Sequence, residues 1–412
     1  MNKHLIKRYA KLIARCGANI QKGQYVCIDI CIDQGEFAKC LVEECYRAGA
    51  KKVEINWSFQ PITKINYKYQ STETLSKIED WEIAKLENNV KIKPCRIIII
   101  SEDPNGLNGI DKNKMYNVKK AIYPIKKPFI DKLENNQQWV IAAIPSFDWA
   151  KMVFPGVNKF VAVDKLWEAI FNCCRVYMDT NPIDEWEQHN INFMKRSYWL
   201  SCKKFDYLKY YSKNGTDFKV WLIPESHWCG GIEYTKQGVP FNPNIPTEEI
   251  FTTPMKGKAD GKLVSTKPLS YQGQIIEDFY IVFKDGKAVE WNAKKGNDLL
   301  THILTLDEGA SYIGEVAIVP KSSPISKSNI LFYETLFDEN ASCHVAVGCG
   351  FCDTIDDYQS KTLEECQKLG VNDSMSHVDF MVGSDDLSII GVKDGIEYQI
   401  LKDGEWAFDP EI

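Results

Sequence analysis

The sequence predicts two domains of different class: an α/β N-terminal domain with a mostly parallel sheet, and a C-terminal α+β domain rich in antiparallel strands. Two observations lead to this prediction. In the first part of the chain, short apolar strand patterns alternate with helical patterns, as they do in parallel α/β sheets. In the second part, Asp-Gly pairs that are typical of hairpin turns separate the strand patterns. We therefore predict one domain over residues 1–190 and a second over 191–412.

Four apolar runs predict the strands of the N-terminal sheet, each buried on both faces. They span residues 25–32, 53–57, 96–101 and 139–144. Between the first two runs, apolar residues at helical spacing predict a helix over residues 35–48, which Gly49 would end. Residues 1–17 carry Lys and Arg among their apolar residues throughout, so they predict an amphipathic first helix and no leader peptide. Asp164 is expected to cap a later helix.

The C-terminal part has the signals of an antiparallel fold. Residues 218–223 predict a strand, and residues 279–291 predict a hairpin. Asp-Gly pairs stand at residues 285–286, 394–395 and 403–404. One helical pattern lies near residues 297–306. This half is therefore expected to combine several hairpins with few helices.

Composition argues against nucleic-acid and membrane partners. The 50 basic and 56 acidic residues are well mixed and leave a net charge of -6, so the basic patch expected of a nucleic-acid-binding protein is missing. The sequence contains no run of about 18 or more apolar residues, so a membrane span is not expected. Nothing indicates secretion. We expect a cytoplasmic protein, with 44% hydrophobic residues available for a large core.

The 14 cysteines are scattered along a long chain. Disulfide frameworks are typical of short secreted chains, so most of these cysteines are expected to be small buried hydrophobic residues. Cys349 and Cys352 form a C-x-x-C pair, but no second pair stands at zinc-ribbon spacing. A structural or accidental pair is the favoured interpretation. A redox protein that uses these two thiols remains the alternative.

Metal-capable side chains concentrate in three segments of the C-terminal part. Two of the six histidines fall in them. The candidate residues are Glu315, Glu339, His344, His377 and Asp379. If residues 377–379 are extended, His377 and Asp379 point to the same face. Imidazole and carboxylate groups suit Zn²⁺, Co²⁺ or Mn²⁺, and carboxylates can bridge two ions.

Each candidate also has a structural interpretation. A His-x-Asp pair is common on surface strands, and Glu315 could be a solvated residue before an apolar strand. Asp338 and Glu339 could be turn and helix-cap residues. The other histidines stand outside such clusters and are expected to be structural: His4, His189, His227 and His302.

Five longer segments carry a resemblance that spans nearly the whole chain. They are Y-A-K-L-I…G-A-N-I-Q-K-G-Q (9–24), N-I-P-T-E-E-I-F-T-T-P (244–254), G-E-V-A-I-V-P (314–320), L-F-Y-E-T-L-F-D-E-N-A-S-C-H-V-A-V-G (331–348) and H-V-D-F-M-V-G (377–383). They resemble the aminopeptidase T / aminopeptidase S family, which comprises leucyl-type metalloaminopeptidases first associated with thermophiles. Long segments in the right order are far more specific than any short motif.

The resemblance implies two divalent metal ions per subunit, either Zn, Co or Mn. The ligands that it implies are Glu249, Glu315, His344, His377 and Asp379. Glu315 is implied as the bridging carboxylate, and Glu339 matches another site residue of the family. Either Glu339 or Glu249 would carry the proton from water to the leaving amine.

The chain departs from the family pattern at one site position. In the family a Tyr usually stands seven residues after the first site histidine, and here that residue is Phe351. A phenylalanine ring has no oxygen to bind a metal or donate a hydrogen bond. One metal would then lose a ligand, take a water, or recruit Cys349 or Cys352.

The function implied by the resemblance is release of N-terminal amino acids from short peptides with a free N-terminus. The family also implies a homodimer that encloses its active sites in a cavity. The alternative from another functional class is a catalytically weakened or inactive peptide-binding homologue, because the usual Tyr is Phe351. Turnover that depends on metal would distinguish the two.

Overall fold

The computed structural model describes residues 2–133, 135–271 and 274–410. Its helices are α1 (Lys3–Leu12), α2 (Gly35–Ala48), α3 (Gln60–Tyr69), α4 (Thr72–Ser76), α5 (Asp80–Ile92), α6 (Lys112–Leu133), α7 (Phe147–Val153), α8 (Lys159–Cys173), α9 (Pro182–Lys203), α10 (Asn297–Leu304), α11 (Pro324–Ser328), α12 (Thr335–Asp338) and α13 (Leu363–Leu369). Among these described residues, no helix combines the length and apolar character needed to cross a membrane.

The longest strands lie in the second half of the chain. They are β1 (Tyr25–Cys31), β2 (Lys52–Ser58), β3 (Cys95–Ile100), β4 (Trp139–Ala143), β5 (Tyr207–Tyr211), β6 (Asp217–Leu222), β7 (Glu233–Tyr234), β8 (Pro240–Phe241), β9 (Asn244–Ile245), β10 (Ile250–Thr252), β11 (Pro254–Val264), β12 (Leu269–Tyr271), β13 (Gln274–Lys284), β14 (Lys287–Lys295), β15 (Ile313–Ile318), β16 (His344–Gly348), β17 (His377–Met381), β18 (Ser388–Lys393), β19 (Ile396–Lys402) and β20 (Glu405–Trp406).

Two compact units result. One comprises Met1–Gln188 with Ile232–Pro246, and the other comprises His189–Gly231 with Thr247–Ile412. In the first unit, β2, β1, β3, β4 and β9 form a parallel sheet in that order. In the second, the strand pairs are antiparallel. The predicted fold class is therefore confirmed.

Local signals in the first unit explain most of its elements. Helix α1 buries an apolar face that includes Tyr9 and Leu12, as its amphipathic pattern predicts. Helix α2 ends where Gly49 adopts a φ of 111°, a left-handed conformation that glycine enters without the strain of a Cβ atom. The four predicted strands are present as β1 to β4.

Two local predictions are wrong. Strand β2 is not buried on both faces, because it lies at the edge of the sheet, and its Trp57 is 48% exposed. Asp164 does not cap a helix, since α8 begins five residues earlier in the chain, at Lys159. Its cap is Asn158, whose side chain accepts a hydrogen bond from the backbone N–H of Phe160 at 2.9 Å.

The second unit contains two larger sheets. One is nine-stranded over the described residues and runs β12-β13-β11-β6-β5-β18-β19-β20, with β14 paired to β13. Its β13–β14 hairpin turns at residues 285–286, and the two later Asp-Gly pairs join β18 to β19 and β19 to β20, all as predicted. The other sheet is four-stranded and runs β10-β15-β16-β17. This smaller sheet carries the candidate site.

Candidate metal centre

One face of the four-stranded sheet carries the polar side chains that the sequence singles out. Side chains alternate along a strand, so the two valines of β16 enter the core while His344 and Ala346 lie on the opposite face. Ala346 pairs with Glu315 of β15 on one side and with Asp379 of β17 on the other. The hydrophobic core therefore holds one face of the sheet, and the other face presents acids and imidazoles.

Small residues on β16 leave room for these side chains. Ala346 separates the two carboxylates with only a methyl group, and Gly348 is the register partner of His377. Gly348 has a φ of 104°, and a Cβ atom there would collide with the backbone oxygen of Ser376. Only glycine fits this position, so the backbone can approach the strand that carries His377.

The predicted ligand residues form two overlapping groups. In the first, Glu249 Oε2 lies 3.0 Å from His344 Nε2, with Glu315 beside them. In the second, Glu315 Oε2 lies 3.0 Å from His377 Nε2, and Asp379 Oδ1 lies 3.3 Å from the same nitrogen. Within each group the potential ligand atoms lie within 4.8 Å of one another. Glu315 belongs to both groups, as a bridging carboxylate would.

Backbone carbonyl groups orient both imidazole rings. His344 Nδ1 lies 3.2 Å from the carbonyl oxygen of Ser342, and His377 Nδ1 lies 2.7 Å from that of Cys349. A carbonyl oxygen only accepts, so each Nδ1 carries the hydrogen. Each Nε2 then faces the carboxylates, and it would be free to bind a metal once it has lost its proton.

The site contains more carboxyl groups than imidazole rings, and all of them have low exposure. Burial raises the pKa of Glu315 to about 7, and the nearby Asp379 and Glu249 add to the increase. Burial by itself lowers the pKa of His344, but its hydrogen bond to Glu249 and the surrounding carboxylates outweigh that effect and raise it to about 9. Without cations, this group of acids therefore retains protons on carboxylates and imidazoles.

One carboxylate oxygen has no hydrogen-bond donor. Asp379 Oδ1 is buried and accepts no hydrogen bond, although His377 Nε2 lies 3.3 Å away. Burial opposes ionisation of Asp379, yet the charge of His377 outweighs it and lowers the pKa of this carboxyl group. His377 compensates this charge only while it is protonated; once Nε2 has lost its proton, the buried oxygen would need another cation. The donor set of carboxylates and imidazoles therefore fits divalent metal ions.

Glu339 lies beside this cluster, and its neighbour Asp338 has a structural role. Burial raises the pKa of Glu339 well above its usual value, and the charges of Glu249 and Asp379 raise it further. The carboxylate of Asp338 instead accepts hydrogen bonds from the backbone N–H groups of Phe332 at 2.7 Å and Glu334 at 3.0 Å. Asp338 therefore stabilises a turn, as the structural interpretation of the sequence predicts.

Phe351 stands at the edge of the second group. Its ring centroid lies 4.7 Å from that of His377 and 5.7 Å from that of Phe251. The ring is 37% exposed. Position 351 thus reaches the site, but with an aromatic ring that offers no donor or ligand atom.

The C-x-x-C pair does not form a disulfide, and the thiol of Cys352 is not activated. Both Cys349 and Cys352 are free. Burial raises the pKa of Cys352 to about 12, and its contact with Cys366 contributes to the shift. A thiol with such a pKa is a weak nucleophile at neutral pH.

Two of the remaining histidines have clear hydrogen-bond partners. His189 Nε2 lies 2.9 Å from the carbonyl oxygen of Thr247, and His227 Nδ1 lies 3.0 Å from Asp356 Oδ1. Neither belongs to a group with metal-ligand geometry among the described residues.

Comparison with known proteins shows the family of the chain. A family described as thermophilic metalloprotease (M29) matches residues 2–406. The chain is 38% identical to aminopeptidase AmpS of Bacillus subtilis and 34% identical to aminopeptidase T of Thermus thermophilus, with 98% of this chain and 98% or more of each relative covered. The solved structure of wild-type AmpT from Thermus thermophilus superposes with a TM-score of 0.91 at 33% identity, covering 98% of this chain and 100% of that one.

The fold, the donor set and these matches define a metal-dependent peptide hydrolase. The chain belongs to the M29 metalloprotease family, whose matched relatives are named aminopeptidases, and it is an enzyme of the metalloaminopeptidase class. The resemblance to the aminopeptidase T / aminopeptidase S family is confirmed. The family implies a divalent metal, for which the two groups around Glu315 are the candidate ligands.

Sequence reasoning missed two features of the site. The first is the small, polar face of β16, which the alternation in His344-Val345-Ala346-Val347-Gly348 could have predicted. The contacts of Asn340, described below, join segments that are distant in sequence. No local pattern could have revealed them.

Proposed function

We propose that this protein is an aminopeptidase that releases N-terminal amino acids from short peptides with the help of two divalent ions, Zn, Co or Mn. Glu249, Glu315 and His344 would hold one ion, and Glu315, His377 and Asp379 the other. The observation that carries the proposal is the surplus of buried carboxylates around Glu315, together with the donor-free Oδ1 of Asp379. Such a cluster is stable only with positive charge among its oxygens.

The bound ions would activate a water molecule and polarise the scissile carbonyl group. The residues of the chain then have separate roles. The two imidazoles, held through Nδ1, keep Nε2 directed at the site. Glu339 lies close enough to Glu249 and Asp379 to feel their charges, so it would be placed to carry a proton from the water to the leaving amine. Glu249 is the alternative proton carrier.

Recognition of a free N-terminus follows from the same charge. A substrate α-amino group is cationic, so the carboxylates that the metal ions leave unsatisfied would attract it and restrict cleavage to the first residue. We further propose a cytoplasmic homodimer whose enclosed sites admit short or unfolded peptides. Gel filtration tests this assembly, because a strictly monomeric active enzyme would contradict it.

The decisive experiment uses purified protein with added Co²⁺ or Zn²⁺ and a leucyl chromogenic substrate. We expect turnover that a chelator abolishes and that Glu315→Ala removes. Glu364→Ala is the matched control, because Glu364 is an exposed carboxylate on α13 and belongs to neither candidate ligand group. Turnover that survives the chelator would contradict the proposal.

The alternative function is a catalytically weakened or silent peptide binder. Phe351 favours it, since the family's usual Tyr is absent and the ring occupies the edge of the site. Peptide binding that persists without metal and without turnover would support the binder. Binding that requires metal, with turnover, would support the enzyme.

A further inference from the structure

Asn340 has no exposed surface and joins two separate parts of the site. Its Oδ1 accepts a hydrogen bond from the backbone N–H of Glu248 at 2.7 Å. Its Nδ2 lies 3.4 Å from Glu339 Oε1 and 3.3 Å from the carbonyl oxygen of Leu336, to both of which it donates. One amide group therefore satisfies a donor next to Glu249 and an acceptor on Glu339.

The bond to Glu248 matters because Glu249 lies outside any strand. Residues 247–249 precede β10 and lie outside its strand. The pairing of Ile250 with Ile318 holds the chain directly after Glu249, and the bond from Glu248 N–H to Asn340 holds it directly before. His189 contacts the carbonyl oxygen of Thr247, one residue further back. The bond to Asn340 is therefore the attachment next to Glu249 on its N-terminal side.

The bond to Glu339 has a different consequence. The side chain of Glu339 lies among Glu249, Glu315 and Asp379, whose charges repel it. The Nδ2 group of Asn340 is a neutral donor that can hold one oxygen of Glu339 in place, and the backbone of Leu336 fixes the orientation of the amide. With its amide in this orientation, Asn340 offers Oδ1 to Glu248 and Nδ2 to Glu339.

From these contacts we propose that Asn340 is a positioning residue of the peptidase: it holds the Glu249 metal ligand through the backbone of Glu248 and orients the Glu339 carboxylate through its amide. This inference rests on the proposed function for the role of Glu339. The predicted effect of Asn340 on metal affinity can be measured whether or not the protein turns over peptides. Replacing a residue that holds a metal ligand in place typically lowers metal affinity or activity by about 10–100-fold.

Two substitutions separate the two contacts. Asn340→Asp keeps an oxygen that accepts from Glu248 N–H but replaces the donor with an acceptor facing Glu339. Asn340→Leu has a similar volume and removes both contacts. Asn297→Leu is the matched control, because the Asn297 side-chain oxygen also accepts a backbone N–H, that of Ala293 at 2.9 Å, and it serves helix α10 instead of the candidate centre.

The experiment measures Co²⁺ affinity by calorimetry, kcat and KM on a leucyl chromogenic peptide substrate, and melting temperature. For Asn340→Leu we expect Co²⁺ affinity to fall by about tenfold or more. For Asn340→Asp we expect Co²⁺ affinity within about threefold of wild type and a kcat lower by about tenfold or more, with KM little changed. Asn297→Leu should lower only the melting temperature.

Several results would overturn the proposal. It fails if Asn340→Leu binds Co²⁺ as wild type does, or if both Asn340 variants differ from wild type only in melting temperature, as the control does. If Asn340→Leu does not fold, Asn340→Asp decides, and an unchanged kcat overturns the proposal. If wild type binds Co²⁺ but has no turnover, the peptidase function fails while the Co²⁺ affinities still test the positioning of Glu249.

Discussion

Glu315 and Asp379 face each other across β16, with only the methyl group of Ala346 between them in the strand register. Two buried carboxylates that flank the same strand residue repel each other unless cations lie near both. The small residue at 346 is therefore as important to the proposed centre as the acids themselves. Its replacement gives the first prediction.

Ala346→Val places two additional methyl groups between the carboxylates. We expect Co²⁺ affinity to fall by about tenfold or more, because the acids can no longer approach a common ion. Overpacking should also cost about 1–3 kcal/mol of stability. Calorimetric titration with Co²⁺ measures the first effect and urea unfolding the second. Val345→Ile enlarges the core-facing side of the same strand and serves as control; equal Co²⁺ affinity in the two variants would refute the explanation.

Glu315→Gln removes a charge shared by both candidate metal groups. In wild type, Co²⁺ at a hundredfold excess over its Kd should raise the free energy of unfolding by about 2.7 kcal/mol for each ion bound. In the variant this increase should be lost, because neither group then retains its full set of charged ligands. Thermal unfolding with and without Co²⁺ measures it. The exposed Glu364→Gln should keep the full increase, and a Co²⁺ effect that survives in Glu315→Gln would argue against a shared ligand.

Phe351→Tyr adds a hydroxyl group at the edge of the site. We expect kcat to rise by roughly 10- to 100-fold, at or below the effect of one oxyanion donor. The hydroxyl could alternatively bind a metal, so metal content is measured on the same samples. Phe251→Tyr adds a hydroxyl to the adjacent ring and should leave kcat unchanged. If rate and metal content of Phe351→Tyr equal those of wild type, position 351 does not influence the reaction.

The carboxylate of Asp386 stabilises the connection between β17 and β18 in a pH-dependent way. It accepts hydrogen bonds from Lys213 N–H at 2.9 Å and from the hydroxyl groups of Ser384 and Ser212, each at 2.8 Å. These donors lower its pKa to about 2. The folded state thus favours the ionised form, so the stabilisation is complete above the usual carboxyl pKa of about 4 and disappears as pH falls towards 2.

Asp386→Asn should therefore be less stable than wild type at pH 7, with a difference that decreases below about pH 4. Urea midpoints at pH 7, 5, 4 and 3 measure this convergence. The exposed neighbour Asp385→Asn is the control and should show a smaller difference at every pH. A difference between Asp386→Asn and wild type that is constant with pH would show that the effect is not due to ionisation.

Patterns that are local in sequence predicted much of the fold. Apolar runs gave β1, β3 and β4 because central strands of a parallel sheet are buried on both faces, and Asp-Gly pairs located the turns around β13, β18 and β19. The exposure of β2 escaped prediction, because edge position is set by strand order. Asp164 is not the cap of α8, because the helix begins at Lys159 and Asn158 caps its first turn.

The candidate site was only partly readable. The His377-x-Asp379 spacing indicated a shared strand face, and the two side chains lie 3.3 Å apart on β17. Glu249 was identified as a ligand only through the family resemblance, since no pattern in its own segment indicates metal binding. The meeting of Glu249 with His344 depends on the pairing of β10 with β15 and of β15 with β16, which joins residues about a hundred positions apart.

The placement of His344, Glu315 and Asp379 on strands whose other face is hydrophobic core has a consequence for time scales. Their backbone amides lie in ladders that open only when the core opens, so hydrogen exchange at Val316, Val345 and Phe380 should approach the rate of global unfolding. His344, Glu315 and Asp379 are therefore expected to move far less than the Thr247–Glu249 segment, which lies outside the strands. Slow motion at this centre is therefore expected to begin at the Glu249 side.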